Sequence, residues 1–280
     1  MPHICLPNVS FCSTPDRWGR RTAVRVLVAT LLMPALPLTA QARMALATAI
    51  NRTARFRAMS QRTAKLYGQL HLAVRPERAR EALEQTRRQM RADLDELDRQ
   101  SWPPEVARLL SDVRRSAADL DGLTAQAPGK ANFQTVSTQA DQMLALADGA
   151  TQALERLAQA PTAKLVNTAG RQRMLSQRLA KNYGLVAAGL DGRPQREQMA
   201  GDAQEFQRAM AQLANAPLST PAIRSALELG QGQWVFFDAA IKRQPNARGL
   251  EDVASTSERL LEVMDSLTAL YEAALHDVLG

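Results

Sequence analysis

Residues 51–68 read NRTARFRAMSQRTAKLYG, and residues 167–184 read NTAGRQRMLSQRLAKNYG. Ten of the 18 positions are identical at an offset of 116. A weaker echo continues: Val136, Met143, Leu144 and Asp148 correspond to Val253, Leu260, Leu261 and Asp265. The chain is therefore a duplication of a long unit rather than an array of short repeats.

Breakers divide each unit in the same way. Pro76, Pro103-Pro104 and Pro128-Gly129 punctuate the first copy, and Pro161 opens the second. Gly192 with Pro194, Pro217 with Pro221, and Pro245 with Gly249 punctuate the second. Proline suits the first turn of a helix, where its missing N–H has no intrahelical partner to lose. Between breakers the apolar spacing is helical: Leu260, Leu261, Met264 and Leu267 follow i, i+1, i+4, i+7. Each unit reads as four helices of about 22–30 residues. The expected fold is all-α, two tandem up-down four-helix-bundle units over 43–160 and 161–280, about eight helices in all. Pro161 opens the fifth helix or kinks a longer one, and the units merge or stay separate; both alternatives stand at this level.

Composition agrees. The 280 residues are 45% hydrophobic but only 4% aromatic, and they are poor in strand-forming runs. Cys5 and Cys12 are the two cysteines, both N-terminal. Thiolate metal sites, disulfides and cysteine catalysis are thus excluded from the body.

Residues 1–42 read as an export signal. Arg17, Arg20, Arg21 and Arg25 form a basic region, Val26 to Leu38 is apolar, and Ala40-Gln41-Ala42 is an A-x-A cleavage site. The expected product starts after Ala42, in the periplasm, with a net charge reduced from +7 to +4. An uncleaved N-terminal anchor is the alternative; Pro34 and Pro37 break the apolar run short of the ~20 residues a span needs.

Charge singles out the two repeat helices. No Asp or Glu occurs from Arg43 to Pro76, nor from Ala160 to Leu190. Such a helix lacks internal ion pairs and needs acids from neighbouring helices or an external anion. Arg57 and Arg173 are surrounded at helical spacing by small residues: Ala54, Ser60 and Ala64 in one copy, Gly170, Ser176 and Ala180 in the other. They are expected to point into a close helix–helix interface. If the two helices meet, the guanidiniums converge on a pocket suited to a planar oxyanion. Arg55 with Arg62, and Arg171 with Arg178, lie on other faces and are expected to be solvated or paired across helices.

The second motif closely resembles the signature of the type IV pili methyl-accepting chemotaxis transducer N-terminal domain, the PilJ type. That family is related to the periplasmic nitrate/nitrite sensor domain of NarX-type kinases. There the resembling helix binds nitrate at a helix–helix dimer interface, through an arginine that corresponds to Arg173 and, in the first copy, to Arg57. The resemblance implies a sensor of a small anion, nitrate or nitrite, with Gly170, Ser176, Asn167, Asn51 and Arg52 as further candidate ligand-binding residues. Ala54 and Ala58 stand where the family has glycine and methionine, so the first copy reads as the diverged partner. The implied partners are the anion, a signalling or envelope protein, and a second copy of the chain.

No other chemistry is legible. His71 and His276 lack metal-ligand spacing, and no phosphate loop, nucleophile motif or carboxylate pair occurs. Glu84, Asp93, Asp95 and Glu96 read as a solvated face, and Trp234, Phe236 and Phe237 as core. Neither catalysis, a cofactor nor nucleic acid is expected. The competing reading is an envelope adaptor that binds a protein through its helical surfaces and holds no small ligand.

Overall fold

A computed structural model describes residues 44–190 and 193–279. The export segment lies outside the described residues. Eight helices are present: α1 (Leu46–His71), α2 (Pro76–Asp98), α3 (Pro104–Thr124), α4 (Lys130–Ala158), α5 (Pro161–Ala187), α6 (Arg193–Ala214), α7 (Pro221–Ile241) and α8 (Ala247–Leu279). Among the described residues there is no strand. Proline occupies the first helical position of α2, α3, α5 and α7, as the breaker pattern requires. Pro161 does not kink a continuous helix. α4 ends at Ala158, and Gln159 turns the chain through the left-handed region at φ 50° before α5 opens.

Helices α1 and α5 form the centre. Each packs most extensively against the other and against the last helix of its own unit, α4 or α8. The α2–α3 pair covers α1 and α4, and the α6–α7 pair covers α5 and α8. The units therefore merge into one body, with α1, α4, α5 and α8 making a shared inner bundle. Equivalent motif positions meet along its length. Ala54 faces Gly170, and farther along Gly68 and Gly184 both face Phe133. This register makes α1 and α5 parallel, related by an approximate two-fold axis.

The same symmetry explains a turn. α1 and α5 end alike: the N–H of Val74 reaches Gln69 O and that of Leu190 reaches Leu185 O, a Schellman-type closure. The residue at the bend is Ala73 (φ 54°) in one copy and Gly189 (φ 60°) in the other. Only glycine adopts that conformation without a Cβ penalty. Ala73→Gly is thus expected to stabilise the protein by about 0.5–1 kcal/mol, read from the urea midpoint. Unchanged or lowered stability would refute this account of the turn.

Candidate functional site

Arg57 and Arg173 are fully buried at the α1–α5 crossing, as their small neighbours implied. A methyl placed on Gly170 would lie 3.1 Å from Arg173 Nη2, 3.6 Å from Arg57 Nη2 and 3.2 Å from Ala54 Cβ. The two guanidiniums thus meet around Gly170, where a missing side chain lets the helices approach. Burial lowers the pKa of both, Arg57 to about 10, against the opposing pull of their carboxylates.

Each guanidinium has an internal anion. Arg57 Nη1 donates to Asp148 Oδ1 of α4 at 2.6 Å, and Arg173 Nη1 donates to Asp265 Oδ1 of α8 at 2.8 Å. Each also crosses to the other unit. Arg57 Nη2 donates to Asn167 O at 3.2 Å, and Arg173 Nη2 donates to Asn51 Oδ1 at 2.7 Å. Asn51 and Asn167, expected at the site, are therefore there, each serving the arginine of the opposite copy.

The remaining motif residues form a ladder. Ser60 and Ser176 donate to the carbonyls of Arg57 and Arg173 on their own helices. Ser176 is thus engaged with its own helix. Gln61 donates to Ala140 O on α4, and Gln177 to Ser257 O on α8. Lys65 of α1 then crosses to Glu258 of α8 and to Gln177 Oε1 at 2.7 Å, while Lys181 of α5 crosses to Asp141 of α4 at 2.6 Å. So the last helix of each unit is held by its own arginine and, seven residues away, by the lysine of the other unit.

The structure corrects some of the other expectations and meets the rest. Arg52 lies against Asp93 and Glu96 of α2 rather than beside Arg173. Asp93 is not on a solvated face. Its side chain is 1% exposed and receives Arg55 at 3.2 Å, and burial raises its pKa against those arginines. Arg62 pairs with Glu258, Arg171 with Asp148 and Glu205, and Arg178 holds Asp202 through two bonds of 2.8 and 2.6 Å. Trp234 and Phe237 are core, with Trp234 stacked on Phe206, but Phe236 is 64% exposed. His276 is exposed and bonded to Thr48, whereas His71 is half-buried near Phe133.

Sequence reasoning missed Asp148, Asp265, Glu258 and Asp141 as partners of the motif. A signal existed: the acids recur seven apart in each unit's last helix, at 141 and 148 and at 258 and 265.

The fold and this ladder define the class: an all-α module built on a duplicated helix pair with arginines buried at the crossing. Residues 158–259 match the family model described as type IV pili methyl-accepting chemotaxis transducer N-term, PilJ. That stretch runs from α5 to the first half of α8 and is similar to that helical transducer domain. No curated protein and no solved structure matches the chain. No helix of the described residues is long and apolar enough to cross a membrane.

Proposed function

We propose that the chain is an exported, periplasmic, non-catalytic sensory protein for a small oxyanion, of the nitrate or nitrite class, that passes its state to a partner protein. In this reading the first unit is a second, diverged copy of the PilJ-type domain, and the α1–α5 crossing does within one chain what a helix–helix dimer does in the NarX-type kinases. The carrying observation is the incomplete satisfaction of Arg173. It binds Asp265 through one oxygen only, and its buried Nε has no partner. Asp265 is 46% exposed, so water stabilises that carboxylate if an oxyanion displaces it. Hydrogen bonds from a charged group contribute about 1.5–3 kcal/mol each.

Calorimetry of the purified protein against nitrate, nitrite and chloride tests this. Arg173→Ala is expected to weaken nitrate binding about tenfold or more, and lysine to restore it only partly, lacking the planar fork. Asp265→Asn should strengthen binding, because the competing carboxylate is gone. Arg115→Ala, remote and exposed, serves as the control. Unchanged affinity in Arg173→Ala would end the assignment. The adaptor reading has its own observation: Leu229 and Phe236 lie seven apart on one exposed stripe of α7. It gains if no oxyanion binds at millimolar concentration.

A further inference from the structure

A half-open cavity of about 210 Å³ lies against α1 where α2 and α8 flank it. Arg173 reaches it from α5, and Arg55 and Arg62 line it from α1. Asp265 is the one carboxylate in the lining, while Arg55 and Arg62 are paired with Asp93 and Glu258 outside it. The rest of the lining includes Ala58, Met59 and Leu261, all buried and apolar. The duplication explains the space. Position 58 is alanine where the second unit has Met174, whose side chain is fully buried.

Volume discriminates between ligands. At about 30 Å³ per water, the cavity has the volume of about seven waters. Nitrate, with four heavy atoms, leaves most of it wet, and its charge gains nothing from the apolar lining. Arg173 lines this cavity with a side chain only 1% exposed, and its buried Nε has no partner. We propose that this asymmetric cavity binds an organic monocarboxylate of about six to ten heavy atoms. Its carboxylate is held by Arg173 in place of Asp265, and its hydrocarbon part lies on Ala58, Met59 and Leu261. The proposal rests on the reading of Arg173 as an anion contact, and it changes the class of anion.

Calorimetry with n-hexanoate, acetate, nitrate and 1-hexanol separates the outcomes. Hexanoate is expected to bind at least tenfold more tightly than acetate, with hexanol weaker than hexanoate by a similar factor. Ala58→Met, which fills the space as Met174 does, should bring the hexanoate-to-acetate ratio toward one. Gln85→Glu changes an exposed lining residue and leaves the core alone; it should weaken hexanoate several-fold by like-charge repulsion. Nitrate binding with no hexanoate preference overturns this proposal and leaves the oxyanion reading standing. Hexanol matching hexanoate, or a preference untouched by both variants, overturns it as well. Binding of neither nitrate nor hexanoate removes both.

Discussion

Glu258→Gln is expected to lower the unfolding free energy by about 3–5 kcal/mol at neutral pH. Glu258 receives Lys65 and Arg62 together, and Lys65 is fully buried between α1, α5 and α8. Glutamine removes the charge that offsets a buried ammonium, which then stands uncompensated. Replacing Lys65 as well, in Lys65→Met with Glu258→Gln, should recover much of the loss, since a buried pair is often exchanged for apolar residues at little cost.

The same pair sets an acid response. Burial pushes the Glu258 carboxyl up, but Lys65 and Arg62 outweigh it and hold its pKa at about 2, below the ordinary 4.5. A carboxylate with a depressed folded-state pKa contributes stability that is complete above 4.5 and is lost as pH falls through 2. The lost amount is at most about 3 kcal/mol. Asp93 and Asp202, raised by burial, act in the opposite sense but are common to both proteins. The stability difference between wild type and Glu258→Gln should therefore shrink as pH falls from 4.5 to 2. Urea titrations across that range measure it; a constant difference would refute the pairing.

Gly68→Ala is expected to destabilise by about 2 kcal/mol, while Gly184→Ala at the equivalent position stabilises by about 0.5–1 kcal/mol. The added methyl on Gly68 would lie 2.6 and 2.8 Å from two ring carbons of Phe133 and closer still to Cζ. That ring is fully buried. On Gly184 the nearest ring atom is 3.6 Å away, an ordinary contact, so the gain in helix propensity survives. Chemical denaturation of the two variants side by side decides it, and equal effects would sink the argument.

Helix boundaries were legible because proline marks them physically, at the first turn of four helices. The buried arginines were legible because small residues at helical spacing leave nowhere else for a helix to pack. Their carboxylates were not. Asp148 and Asp265 are about ninety residues from Arg57 and Arg173, on helices that carry other acids, and only the packing of α4 and α8 selects them. Asp93 was misjudged although Thr86, Met90, Asp93 and Leu97 form a single buried stripe of α2 at helical spacing. Phe236 was misjudged for a similar reason. A step of three positions from Trp234 to Phe237 keeps them on one face, whereas a step of two carries Phe236 to the far side.

The crossed ladder also bears on mechanics. α4 is pinned at Asp141 and Asp148, and α8 at Glu258 and Asp265, each pair seven residues or about 10.5 Å apart along the helix. An axial slip of either rod by less than that distance strands both acids and both buried cations without partners. Tilting or rotating a rod by a few degrees about the pinned points costs no such loss. The inner bundle is therefore stiff to piston travel and compliant to rocking: it moves by angle rather than by height.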